Sequence, residues 1–136
     1  MADSIRPNIF PALRYRDADA ALEWLGRAFG AEERAVHRSP DGVVRHAELL
    51  LGTGMVMLGQ ADGPLLGGGE PDPRRSTVSL YLVVPDPDAH HARAAAASAE
   101  IVRPLEDTDY GSREYSARDL EGNLWSFGTY DPYESG

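Results

Sequence analysis

The chain has no cysteine. That excludes disulfides, thiolate metal sites and a cysteine nucleophile, and it agrees with a reducing, cytoplasmic setting. Long apolar runs are missing as well. Nowhere do about 18 apolar residues follow one another, so no segment reads as a membrane-spanning helix. The opening stretch MADSIRPNIF has neither the charged nor the apolar region of a secretory leader. Positive charge is scarce: 13 Lys and Arg stand against 22 Asp and Glu, for a net charge of −9 and a pI near 4.8. Such a surface repels a phosphate backbone on average, which argues against nucleic acid as a partner. It favours a cationic small molecule, and it also serves ordinary solubility.

The chain holds 136 residues, 42% of them hydrophobic, which suits one domain with a real core. Strand and helix signals alternate along it. The run NIFPALRY reads as a strand. DADAALEWLGRAFG follows as a helix, with Asp17 as N-cap, Leu22, Leu25 and Phe29 at helical spacing, and Gly30 to end it. ERAVHRS is a short strand, PDG a turn, and VVRHAELLLG with GMVMLGQ a hairpin. A stretch rich in Gly and Pro, 61–75, then reads as a linker, and its glycines at 67–69 lack the spacing of a phosphate loop.

After the linker the same order restarts. TVSLYLVV is a strand, and DPDAHHARAAAASAE a helix with Asp86 as N-cap and Pro87 in its first turn. IVRPLED is a strand, and REYSARD with NLWSFGTY a hairpin. A shift of 69 residues lays one half on the other: Asp17 on Asp86, Asp19 on Asp88, Leu13 on Leu82 and Leu58 on Phe127. This is a tandem repeat of a β-α-β-β-β unit, about 6–60 and 76–130. One copy cannot cover both faces of its sheet, so the two share one α+β domain over 1–136.

The stretches LRYRDADAALEWLGRAFGAEE, HAELLLGTGMVMLG, YLVVPDPDAHHARAAAASAEI and YGSREYSARDLEGNLWSFGTY together resemble the vicinal oxygen chelate superfamily. That group includes glyoxalase I, the extradiol dioxygenases and the bleomycin-resistance proteins. The last stretch is similar to bacterial proteins labelled glyoxalase or bleomycin-resistance family. The resemblance implies two βαβββ modules forming a U-shaped mixed sheet with helices outside. It also implies a homodimer with sites across or near the interface. In metal-using members, His, Gln or Glu ligands come from the first and last strand of each half. Carried over, those places fall on Phe10, Met57, Ser79 and Ser126. Phe has no donor atom, Met is a soft ligand and neutral Ser a poor one. The expectation is therefore a metal-free pocket that needs no cofactor.

Strand alternation sorts the side chains around that pocket. A two-residue turn at Thr53 and Gly54 pairs Leu50 with Met57, and puts His46, Glu48, Leu50, Met55 and Met57 on one face. A three-residue LEG loop with Gly122 as a bulge residue pairs Ser116 with Ser126. Tyr115, Ala117, Trp125 and Phe127 then face the helices, while Glu114, Ser116, Arg118, Leu124 and Ser126 face inward. The candidate ligand-binding set is Phe10, His46, Glu48, Met57, Ser79, Tyr81, Glu114 and Ser126. Apolar walls with a few polar anchors suit a small molecule, and an aromatic face beside a carboxylate suits an aromatic or cationic one.

Three other readings stay open. One is a metal-dependent lyase, isomerase or dioxygenase with an unusual site around His46, Glu48 and Glu114. Another is metal-free chemistry with Glu48 or His46 as base, which needs a raised carboxylate pKa or a neutral imidazole. The third is an interaction module without a ligand. His90 and His91, adjacent on the second helix, read as surface residues pointing in different directions. Trp24 and Trp125 read as structural.

Overall fold

Two aspartates start the two helices. Asp17 accepts from the Ala20 amide and opens α1, Ala18–Phe29, and Gly30 closes it in the left-handed region at φ 78°. Asp86 accepts from the Ala89 amide and opens α2, Pro87–Ala96. α1 buries a full stripe, with Ala18, Ala21, Leu22, Trp24, Leu25, Ala28 and Phe29 inside. α2 buries only Pro87 and Ala94, and its small residues let the helices approach closely. The Trp24 indole donates to the Ala97 carbonyl at 2.8 Å. Arg93 donates to the Gly26 and Arg27 carbonyls at the end of α1.

The computed structural model describes residues 7–61 and 72–134. The linker expected over 61–75 thus lies mostly outside the described residues, as do the glycines at 67–69; Pro73–Arg75 form a single 3-10 turn. The strands are β1 (Ala12–Tyr15), β2 (Glu32–Arg38), β3 (Val44–Leu51), β4 (Gly54–Gln60), β5 (Leu80–Val83), β6 (Glu100–Asp107), β7 (Arg113–Arg118) and β8 (Leu124–Gly128). They form two mixed four-stranded sheets, ordered β1-β4-β3-β2 and β5-β8-β7-β6. Each sheet has one parallel pair, β1 with β4 and β5 with β8, and its other pairs are antiparallel. The repeat holds in register: Ala12 faces Met57 as Tyr81 faces Ser126, and Leu13 faces Leu58 as Leu82 faces Phe127.

Three local expectations need correction. The first strand of each half is shorter than read. Residues 8–11 stay outside the sheet, where Pro11 has no N–H to offer a ladder. At 77–79 the Val78 amide is taken by the Ser76 hydroxyl at 3.1 Å. Phe10 and Ser79 therefore precede their strands. The first hairpin turns on Gly52 and Thr53, with Gly52 at φ 63°, so Leu51 faces Gly54, Leu50 faces Met55 and Glu48 faces Met57. The slip from the expected pairing is even, so every side chain keeps its face. The second hairpin pairs Ser116 with Ser126 around Gly122 at φ 103°, as expected.

The halves are joined through a shared core. Phe29 of α1 packs on the second sheet, its ring 5.2 Å from Trp125 and 4.8 Å from Phe127. Asp119, at the end of β7, is buried, and its carboxylate accepts from six donors. Oδ1 takes the amides of Glu121, Gly122 and Asn123, each at 3.0 Å. Oδ2 takes the Asn123 side chain, the Trp125 indole and, at 2.6 Å, the hydroxyl of Tyr15 from β1. Burial and the adjacent Asp119 charge raise the Tyr15 pKa, so its hydroxyl stays a donor. Two residues on, the Glu121 carboxylate accepts from the Arg16 and Asp17 amides at the start of α1.

His90 is a further correction, for it is not a surface residue. Its ring lies tilted against Phe127, centroids 4.2 Å apart, and Nδ1 meets the Tyr115 hydroxyl at 2.5 Å. Nε2 is buried without a hydrogen-bond partner among the described residues. His91 lies edge-on to the same Tyr115 ring at 4.9 Å. α2 turns both histidines onto one aromatic side chain, because Tyr115 is large enough to reach two neighbouring helical positions.

Two outcomes follow for stability. Asp119→Ala strands several donors at once and is expected to cost about 3 kcal/mol, while Tyr15→Phe removes one bond to a charged group and costs about 2 kcal/mol. Urea unfolding at neutral pH checks both values, and equal losses would contradict the role of Asp119 as the hub. Burial, with the nearby Arg93 charge, lowers the His90 pKa from 6.5 to about 4 against the opposing Phe29 carbonyl. The folded chain thus binds fewer protons than the unfolded chain between those values. The His90 contribution is complete above pH 6.5 and shrinks as the pH falls toward 4. His90→Gln should flatten the pH dependence of the urea midpoint across that window, and an unchanged slope would refute the assignment.

Candidate functional site

The side of each sheet away from the helices carries the polar and half-buried residues. On the first sheet these include His46, Glu48, Leu50, Met55 and Met57, while Ala47, Leu49, Leu51, Val56 and Leu58 are buried on the other side. On the second sheet Glu114, Ser116 and Ser126 face the same way, opposite the fully buried Tyr115, Trp125 and Phe127. This alternation agrees with the facing read from the sequence.

Each inner face holds an arginine from its outer strand, Arg34 or Arg103, paired with a carboxylate of the neighbouring strand. On the first sheet, Arg34 Nη1 donates to Glu48 at 2.7 Å, and the other Glu48 oxygen lies 3.0 Å from His46 Nε2. On the second, Arg103 donates to Glu114 at 3.1 Å and to the Ser116 hydroxyl at 3.2 Å. Ser116 in turn meets Ser126 at 2.7 Å. The shift of 69 residues places Arg34 on Arg103, so the repeat itself could have pointed to both. Neither was singled out from the sequence, because an arginine on an outer strand reads locally as solvated surface.

Glu114 is the most enclosed of these groups, at 4% exposure. Burial raises its pKa, but hydrogen bonds from Ser112, Tyr110 and Arg103 and the Arg103 charge outweigh that, and the net shift is downward. The Tyr110 hydroxyl lies 2.9 and 3.0 Å from the two carboxylate oxygens. Gly128 opposes Glu114 across the ladder, and a Cβ there would stand 2.5 Å from Glu114 Cγ and 2.8 Å from the Tyr81 hydroxyl. The glycine leaves the space both side chains occupy. Tyr81 donates onward to the Tyr130 carbonyl at 2.8 Å. Tyr110, 59% exposed, meets the Tyr130 ring edge-to-face at 5.8 Å. Tyr81, Tyr110 and Tyr130 thus form an aromatic rim around a carboxylate already matched by Arg103. Tyr110 was missed because it sits outside the strands, where alternation gives no facing.

On the first sheet a cavity of about 550 Å³ is lined by Pro7, Phe10, Arg34, Leu50, Met55 and Tyr133, with Thr53 at its edge. A smaller cavity of about 260 Å³ has both Met55 and Tyr81 in its walls, between the β3–β4 hairpin and β5. Met57 lies beside Glu48 in the ladder, and Ser79 is exposed ahead of β5. Among the described residues no hydrogen bond or ion pair joins His46 or Glu48 to Glu114, Tyr81 or Ser126.

The unusual metal site considered around His46, Glu48 and Glu114 is not assembled within this chain: the first two lie on one sheet and the third on the other. Among the described residues no three His, Asp or Glu side chains gather closely enough to hold a metal ion. The family's ligand places, Phe10, Met57, Ser79 and Ser126, do not fit one either, and Ser126 is engaged with Ser116. Glu48 does not match the requirement for a base. Hydrogen bonds from His46 and then Arg34 hold its pKa below the usual carboxylate value, against some desolvation.

Repeated βαβββ modules with paired inner faces define a class of protein, and comparison agrees with it. The Glyoxalase/Bleomycin resistance protein/Dioxygenase superfamily matches residues 9–127, and the chain belongs to that family. Among individual proteins it is 34% identical over 131 residues to the uncharacterized protein Mb0911c of Mycobacterium bovis, covering 94% of this chain and 86% of that one. The uncharacterized protein Rv0887c of Mycobacterium tuberculosis is equally similar, with 77% of its length covered. Of solved structures, TioX from Micromonospora sp. ML1 is 38% identical with a TM-score of 0.70, covering 90% of this chain and 94% of that one. The fosfomycin resistance protein FosX of Mesorhizobium loti is 20% identical with a TM-score of 0.66, covering 96% and 97%, which speaks to the fold alone. Among the described residues no helix is long and apolar enough to cross a membrane.

Proposed function

We propose that this protein binds a small aromatic molecule against its inner faces and does so without a metal. The observation that carries this reading is the cavity of about 550 Å³ beside Phe10, Leu50 and Met55, which has apolar walls and, among the described residues, a single charged group. The aromatic rim of Tyr81, Tyr110 and Tyr130 supports it, since each ring offers a face or edge to a planar ligand. A cationic ligand is the less favoured half of the original expectation. Glu48 and Glu114 both carry an arginine already, and a cation has to compete with it. The donor set at Phe10, Met57, Ser79 and Ser126 supports the metal-free half.

A second copy of the chain is part of the reading. β1 and β5 are edge strands, and Ile9, Val78, Tyr81 and Val83 are exposed apolar residues at or beside those edges. Pairing two copies there covers them and encloses the inner faces. Static light scattering at micromolar concentration is expected to give a dimer mass, and Val83→Lys a monomer. A monomer mass for the unaltered chain sinks this part of the reading.

The binding reading is tested by elemental mass spectrometry and a thermal-shift screen on protein purified without tag or chelator. The expected result is no stoichiometric divalent metal, together with a raised Tm for planar aromatic compounds. A full equivalent of bound metal, or a screen in which no aromatic compound shifts Tm, overturns it.

A further inference from the structure

We infer that the cavity on the first sheet selects planar aromatic acids, with Arg34 reading the acid group and Tyr133 closing over the ring. This rests on the small-molecule reading above and adds both a ligand class and two residues to it.

Charge in the cavity comes first. Of its described lining residues, Pro7, Phe10, Arg34, Leu50, Thr53, Met55 and Tyr133, only Arg34 is charged. A chain of net charge −9 thus presents a cation to this space. Arg34 is tied to Glu48 through Nη1 alone, at 2.7 Å. The guanidinium has five N–H donors in a plane, so most remain for a carboxylate or sulfonate. Glu48 is shared with His46 and sits behind Arg34 as an anchor, which fixes the guanidinium at the cavity wall. The repeat strengthens this. Arg103, at the equivalent place, spends two nitrogens on Glu114 and Ser116, has its third 3.9 Å from Glu106, and is the more enclosed of the two, with its side chain 34% exposed against 58% for Arg34. The two equivalent arginines differ, and the one that keeps donors free lines the apolar cavity of about 550 Å³.

Tyr133 comes from the other half of the repeat. β8 ends at Gly128, and the chain is pinned to the second sheet where the Tyr81 hydroxyl meets the Tyr130 carbonyl. It then turns: the Asp131 side chain accepts from the Tyr133 amide at 2.9 Å, and its carbonyl from Glu134 at 3.0 Å. That turn sets Tyr133 among the cavity-lining residues of the first sheet, with Phe10, Leu50 and Met55. Yet Tyr133 is 89% exposed. A large aromatic ring held at the mouth of an apolar cavity without being packed into it has surface to bury only when something fills the space. A planar ligand provides that surface, and Phe10 supplies a second aromatic wall.

The test uses the full chain and two fluorescent probes of the same ring skeleton, 8-anilinonaphthalene-1-sulfonate and the neutral N-phenyl-1-naphthylamine. Titration is expected to show the sulfonate binding about fivefold tighter than the neutral probe at low salt, a preference that added salt erodes. Arg34→Gln should abolish the preference, the sulfonate losing about fivefold more affinity than the neutral probe. Tyr133→Ala, at an exposed position that the fold does not depend on, should weaken both probes by a similar factor. Tyr133→Phe should restore them. A sulfonate preference that survives Arg34→Gln, or probe affinities untouched by Tyr133→Ala, overturns the assignment. Equal affinity for the two probes in the unaltered chain removes the acid specificity and leaves aromatic binding standing. Failure of both probes to bind removes the inference and the binding reading together.

Discussion

One buried carboxylate organises much of this molecule. Asp119 lies under the second hairpin, and its six donors come from three backbone amides, two side chains of the same loop and strand, and a tyrosine of the other half. A carboxylate out of water is tolerated only when its lone pairs are satisfied, and each donor is equally costly to leave alone. The loop therefore has little choice of shape. Its shape fixes the Ser116–Ser126 register, and the register puts Trp125 and Phe127 inside with Ser126 on the opposite face. The same loop holds the end of β1 through Tyr15 and the start of α1 through Glu121. Hairpin geometry, core and module docking are thus parts of one network.

The inner faces show what duplication allows. Both modules keep an arginine reaching from an outer strand to the middle of the sheet. In one the arginine meets a carboxylate braced by histidine; in the other it meets a carboxylate braced by tyrosine and serine. On each face an arginine offsets the carboxylate it meets, so the net charge of the chain is a poor guide to what these faces bind. Binding at such a face depends on aromatic area and on which donors remain open, not on attraction to bulk charge.

Much of the framework was legible along the chain. Asp17 and Asp86 cap helices because a short side-chain acceptor suits the free amides of a first turn wherever it occurs. The faces of both hairpins were legible because side chains alternate regardless of exact register, so the slip at Gly52 and Thr53 moved no residue across the sheet. Less of the site was. His90 was read as exposed because neighbouring helical residues point in different directions, yet Phe29 and Tyr115 close around it. Arg34, Arg103, Tyr110 and Tyr133 went unremarked, since each acts through a partner 11 or more residues away or from a position outside the strands.

The sequence by itself determined the repeat, where each helix starts, the side of each hairpin strand that meets the helices and the poor donor chemistry at the family's ligand places. All of these are local, set by backbone geometry and by the atoms each side chain carries. Only the tertiary structure decided that Asp119 and Tyr15 meet across 104 positions, that Glu48 and Glu114 are each matched by an arginine, and that a C-terminal tyrosine reaches the first sheet. Those outcomes depend on how two similar modules pack on a common core. That packing is fixed by the combined satisfaction of distant groups, and no single window of the chain contains them all.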